Sequence, residues 1–365
     1  MFIRILDRYI FREVFVTFLF GICAFSAVFI GSGTLFRIAQ YITDYGASLE
    51  SVAKIFVLGL PGVVIWTFPM SMLLAVLLTI GKMSSSSEIT AMKSCGIGFF
   101  RIAAPAVLLG TLVSIFAIAF NEYVVPWANT AYSNVFYYEI EHNTAPRSQE
   151  HVIIKDIQNN LMHQLVYARL YDAEQEIMHS VTLQNYNSQG QIDQVETAEF
   201  AKWDGKSWKL YNGIIYDVTD DGKREHIIRF NEQILPIRTT PVQVSRSQRK
   251  PEELTMKELR EEIDIMRLQF VDTKKLEVEL YQRVTVPMAS LIFALIGVPL
   301  GLQPTRNSSS MGFAMSVIII FFYYAFMTMG NAIARGGFMP PLIAVWLPNI
   351  IGLVAGLFLM YRASR

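Results

Sequence analysis

"GKMSSSSEITAMKSCGIG", residues 81–98, separates two stretches, 55–81 and 102–121, that contain no Asp, Glu, Lys or Arg. Each is as long as the roughly 20 apolar residues a helix needs to cross a bilayer. Reading residues 81–98 as a short polar connection between two spans makes the chain a membrane protein. Outward from it, stretches 14–36, 284–305, 307–334 and 336–361 also lack those four residue types. Six spans are therefore predicted, three on each side of a long polar insert. The first exceeds the roughly 7–15 apolar residues of a secretory signal, so it is read as retained.

The whole composition agrees. Of 365 residues, 52% are hydrophobic and 17% charged, and the mean hydropathy is +0.35. A formal net charge of zero gives no pull toward nucleic acid. Cys23 lies in the first span and Cys95 in the quoted connection, so no disulfide framework or metal cluster is expected in the insert. Lysine and arginine set the orientation. With the N-terminus inside, the inner segments hold Arg4, Arg8, Arg12, Lys82, Lys93, Arg101, Arg306, Arg362 and Arg365, against Arg37, Lys54 and Arg335 outside. The expected arrangement is a multi-pass protein of the cytoplasmic membrane with cytoplasmic termini, a cytoplasmic 81–98 connection and an insert beyond the membrane.

That insert, about 127–250, reads as β. Turn signals Asn159-Asn160, 187–190, Asp204-Gly205, Asn212-Gly213 and Asp221-Gly222 separate segments such as 181–183, 208–211 and 226–230. Short strands at that spacing predict a sandwich or jelly roll. Residues 1–13 have Ile3, Leu6 and Ile10 alternating with Arg4, Arg8 and Arg12, the pattern of a short interfacial helix. After Pro251, Thr255 and Glu258 have capping-box spacing, and Leu259, Ile263, Met266 and Phe270 share a helical face. The predicted domains are 1–126 (interfacial helix, three spans and a connecting helix at about 84–96), 127–250 (β domain) and 251–365 (return helix and three spans).

Several chemistries are excluded. Gly81-Lys82 is followed by Met83 and lacks the upstream glycine, so there is no ATP-binding P-loop. No metalloprotease or nucleophile-elbow motif occurs, and the five histidines all fall in the insert. No catalytic residue and no cofactor of the chain's own is expected. Ion-coupled transporters keep ionisable groups within their spans; these six have none.

In the connection, Ser85 and Glu88 also have capping-box spacing, Lys93 falls in the last turn, and Gly96 suits the position just past a helix end. Ile89 and Met92 share one face. Two readings fit: Glu88 caps the helix, or the helix docks on a separate ATPase with Glu88 pairing a basic residue there.

"SSEITAMKSCGI" resembles the S-E-[LI]-T-x-M-x-x-x-G segment of the YjgP/YjgQ permease family, which includes the lipopolysaccharide-export permeases LptF and LptG. "LDRYIFRE", "NEYVVP", "PLGL" and "GGFMPPLIAVWLPN" are similar to that family too, across essentially the whole chain. The resemblance implies an α-helical membrane protein with six transmembrane helices around an inserted jelly-roll-like periplasmic domain. It implies a second such permease, a cytoplasmic LptB-like ABC ATPase dimer that consumes the ATP, and a bitopic LptC-like jelly-roll protein leading to a periplasmic bridge. The substrate would be lipopolysaccharide, and the first and fifth spans would form lateral gates. Glu88 then takes the ATPase-coupling role, with Ser85, Ile89, Met92 and Lys93 around it. Arg37 takes the family's basic position near the outer end of the first span. Arg283 either meets a substrate phosphate through its bidentate fork or anchors at the interface. In the bulky fifth span, Phe321 and Tyr324 face acyl chains or pack against neighbouring helices. Two rival readings are a secondary transporter and a membrane receptor or assembly factor with a β ectodomain.

Overall fold

The computed structural model describes residues 5–141, 149–158, 161–172, 175–187, 191–218, 224–235, 237, 241, 250–268, 272–302 and 308–364. They divide into two units: Met1–Glu141, Pro251–Met256 and Lys274–Arg365 in one, His142–Lys250 and Lys257–Thr273 in the other.

The first unit is a helix bundle with six helical stretches long and apolar enough to span a membrane: Ile5–Tyr45, Leu49–Ser85, Phe99–Ile140, Lys274–Gly301, Gly312–Arg335 and Pro341–Ser364. Span 1 comprises α1 (Ile5–Phe29), a π-helical turn (Ile30–Thr34) and α2 (Leu35–Tyr45). Span 2 is α3 (Leu49–Ser85); α4 (Glu88–Ser94) follows; span 3 is α5 (Phe99–Val135), extended by a second π-helical turn. These first three stretches run 41, 37 and 42 residues, about twice what a bilayer core requires, so they project beyond it. The predicted separate interfacial helix is therefore corrected from Ile5 onward. No breaker interrupts α1, and Ile10 and Val14 are fully buried against the bundle; Ile3 and Arg4 lie outside the described residues. The predicted edge at 126/127 falls inside α5, where Val125 and Ala128 remain buried.

The middle of the bundle is α3 against α7 (Lys274–Gly301). In their most apolar stretches 78% and 72% of residues are buried, against 17%, 22% and 28% for spans 1, 5 and 6. Spans 5 and 6 are α8 (Ser308–Arg335) and α9 (Pro341–Ser364). Lipid gives helices no hydrophobic reason to associate, so close van der Waals approach at small residues must supply it. Accordingly Gly297 packs on Val76, Gly301 on Ile80, and a Cβ on Gly110 would lie 2.7 Å from that of Ala294. A helix proline leaves the carbonyl four residues back without its amide. Pro287 does this to Arg283, whose carbonyl instead accepts from Asn121 Nδ2 at 3.3 Å.

The second unit holds one antiparallel sheet of six strands: β1 (Gln149–Gln158), β2 (Leu161–Asp172), β3 (Ile177–Tyr186), β4 (Ile192–Trp203), β5 (Trp208–Val218) and β6 (Arg224–Leu235). They neighbour one another in chain order. The β insert is as expected; its strand order is an up-and-down meander, without the crossovers of paired Greek keys. A transverse row runs Val152, Ala168, Val181, Ala198, Gly213 and Phe230. Asp204-Gly205 makes the β4–β5 turn, Asp204 Oδ1 accepting from the amides of Lys206 and Ser207 at 3.0 and 2.9 Å. Asn212-Gly213 is no turn: it lies inside β5, where the Phe230 ring covers the glycine and continues the face. The pairs 159–160 and 221–222 lie outside the described residues, as do Thr305, Arg306 and Phe270. The helix after Thr255 is α6 (Met256–Leu268), with Leu259 and Ile263 buried.

Candidate functional site

The 81–98 segment folds differently from a capped, independent helix. Ser85 and Ser86 both donate to the Lys82 carbonyl, each at 2.9 Å, and these back-bonds carry α3 to Ser85. Ser85 therefore ends one helix instead of capping the next, which corrects the capping box. Ser87 takes a left-handed backbone (φ +61°) that reverses the chain, and α4 starts at once with Glu88. At the other end Gly96 has φ +80°. Its amide reaches the Lys93 carbonyl at 2.9 Å and the Ile97 amide reaches that of Met92 at 3.0 Å. That bond pair is a Schellman stop, with Ile97 and Met92 both packed on the bundle core.

Ile89 is 3% exposed within that core and Met92 packs beside it. The two share one face, as expected, and that face fastens α4 to its own bundle, because the helix is amphipathic toward α3 and α5. The outward face carries Thr90, Ala91, Lys93 and Ser94. Glu88 sits at the margin, Oε1 accepting from Ser86 Oγ at 2.9 Å and Oε2 from the Tyr9 hydroxyl at 3.1 Å.

A second feature lies among spans 1, 2 and 5: a hollow of about 680 Å³ whose wall includes Phe29, Trp66, Met70, Phe321, Tyr324 and Thr328, with no charged side chain. Phe321 is exposed. The Tyr324 hydroxyl is engaged, donating to the Trp66 carbonyl at 3.1 Å. Phe29 and Trp66 had no signal of their own in an apolar run. Arg37 is exposed on α2, beside Tyr132.

Arg283 is elsewhere. It is 3% exposed, and its Nη2 donates to the Pro251 carbonyl at 2.8 Å. Nearby, Ser133 Oγ donates to Glu253 Oε1 at 2.6 Å and Asn129 Nδ2 to the Glu252 carbonyl at 2.9 Å. At that burial Arg283 does not snorkel to an interface; its Nη2 bond clamps the return turn.

Among the described residues, six helices long and apolar enough to span a membrane and an inserted β sheet define a multi-pass membrane protein with a β domain. The chain belongs to the family of lipopolysaccharide export system permeases LptF/LptG, whose model matches residues 8–362. It is thus a permease of lipopolysaccharide export, in the inner membrane. No individual curated protein matches it significantly.

Proposed function

We propose that this chain is one half of a permease pair driven by a separate cytoplasmic ABC ATPase dimer, which engages the outward face of α4 through Glu88 and Lys93. The termini are then cytoplasmic and the β domain periplasmic. Lipopolysaccharide acyl chains enter the hollow beside Phe29, Phe321 and Tyr324. Arg37 follows Phe29 by eight residues, about 12 Å along the helix axis, a spacing suited to a phosphate of the same lipid. The β domain passes the lipid to an LptC-like jelly-roll protein and the periplasmic bridge. Extraction costs about 0.8 kcal/mol for each acyl CH₂ leaving the bilayer, so a lipid with several chains needs an external energy source.

The observation that carries this reading is the uncharged hollow of about 680 Å³ bordered by spans 1 and 5, the two least buried spans of the bundle. Gentle purification from native membranes, with mass spectrometry of all that co-elutes, tests it. An ABC ATPase, a second six-span permease and bound glycolipid are expected, and Glu88→Ala is expected to lose the ATPase alone. Elution without any ATPase would return Glu88 to a purely structural role.

A further inference from the structure

Tyr9 lies on the exposed side of α1, yet its hydroxyl reaches Glu88 across 79 residues of sequence. Two ion pairs flank that bond: Arg101 Nη2 with Asp7 Oδ2 at 2.9 Å, and Lys82 Nζ with Glu13 Oε2 at 3.5 Å. The first turns of α1 are thus tied to the end of α3, to α4 and to the start of α5. Beneath the polar ties, Ile10 and Val14 share a core cluster with Ile89 and Phe99.

From this fastening α1 runs unbroken to Phe29 on the wall of the hollow, about 30 Å from Tyr9 along the axis. There the regular helix stops. The π-helical turn Ile30–Thr34 has no buried residue, and a Cβ on Gly31 or Gly33 would meet nothing within 4 Å. Single π turns within α-helices often mark functional positions. Two elements lead from α4 into the bundle, α3 and the α1 fastened beside it. Span 2 is 78% buried in its most apolar stretch and locked on α7, whereas that stretch of span 1 is 17% buried: α1 packs on α3 through Phe18 and Gly21 and leaves its other side open.

We propose that α1 is a rod that carries movement of α4 to the rim of the hollow, fastened by the Tyr9–Glu88 hydrogen bond and hinged at Ile30–Thr34. The proposal rests on the ATPase-coupling reading of α4. Tyr9 is a positioning residue: it acts through Glu88, whose carboxylate oxygens keep lone pairs for a partner's donor while accepting from Tyr9 and Ser86.

The chain's two cysteines suit the test, because Cys23 lies on α1, Cys95 directly follows α4, and both are exposed. Spin labels on them in the assembled complex with its ATPase report the separation of rod and α4. We expect that separation to be the same without nucleotide and with trapped ATP. A second pair across the hinge, Cys23 with Gln40→Cys in a Cys95→Ser background, is expected to shift. In Tyr9→Phe the Cys23–Cys95 separation becomes nucleotide-dependent, and lipopolysaccharide extracted per ATP hydrolysed falls roughly three- to tenfold, the factor one hydrogen bond carries; the ATPase still co-purifies. The rod is overturned if the native Cys23–Cys95 separation moves as much as the hinge pair, or if Tyr9→Phe extracts lipid at the native ratio. Absence of the ATPase from the native complex would sink the coupling reading itself, and the rod with it.

Discussion

Tyr323 donates its hydroxyl to Asn349 Oδ1 at 2.5 Å in the interior of the bundle, and Asn349 Nδ2 donates in turn to the Thr285 carbonyl at 2.8 Å. Spans 4, 5 and 6 thereby meet at one buried amide, 3% exposed. Phe293 packs edge-on against the Tyr323 ring at 4.8 Å.

Asn349→Leu should loosen that junction. Buried interhelical hydrogen bonds in membranes are worth about 0.6 kcal/mol on average and up to roughly 1.7, and here one substitution removes two. We expect a destabilisation of about 1–2 kcal/mol, read as a lower melting midpoint in detergent. An unchanged midpoint would show that the junction stands without these two bonds, the Phe293–Tyr323 ring packing holding span 5 to span 4.

Gly330 faces the Ala344 carbonyl, the one that Pro348 leaves without a helical amide. A Cβ there would lie 2.5 Å from that oxygen, and backbone cannot yield as a flexible side chain does. Gly330→Ala is expected to cost about 1–3 kcal/mol and to separate α8 from α9, measurable as faster cysteine cross-linker loss or a lower midpoint. Native-like packing in the variant would contradict the close approach.

Arg283 separates a structural clamp from a lipid contact. Arg283→Gln should release the Pro251–Glu253 turn at a cost of roughly 1–3 kcal/mol, exposing the return segment to limited proteolysis. Co-purifying glycolipid per folded permease is expected to stay at the native level. Loss of lipid with unaltered protease resistance would restore the phosphate role.

In the β domain Glu196 is 4% exposed, opposite Leu183 in the strand register. Burial pushes its carboxyl above the usual range, partly offset by hydrogen bonds from Asn185 and Gln233. A carboxyl whose folded pKa is raised binds its proton more tightly in the folded state. Its stabilising contribution is therefore present below the ordinary carboxylate pKa and lost as pH rises through the raised value. Glu196→Gln should protect strands β3–β5 from amide exchange more than the native residue near neutral pH, and equally in acid. A difference that persists in acid would point to packing rather than charge.

How much of this was legible follows from the range of each interaction. Span existence depends on composition over about 20 residues, and strands on alternation over a few, so both could be read locally. Gly96 was legible for the same reason: a helix stop needs one residue that tolerates positive φ. Ser85 was misplaced because serine hydroxyls can extend the preceding helix as readily as they cap the next one. Asn212-Gly213 was read as a turn because the Phe230 ring that completes the strand lies on a neighbour.

The sequence by itself determined six spans, the β insert between the third and fourth, and membership of the lipopolysaccharide export permeases, since length, hydropathy and contiguous motifs survive without knowledge of packing. Only the tertiary structure decided that Arg283 is a clamp, that Ile89 and Met92 face inward, and that Tyr9 holds Glu88. Those outcomes depend on the rotation of each helix about its axis and on contacts between residues 32 to 79 positions apart. Close packing at small residues sets that rotation, and no single helix carries the information alone.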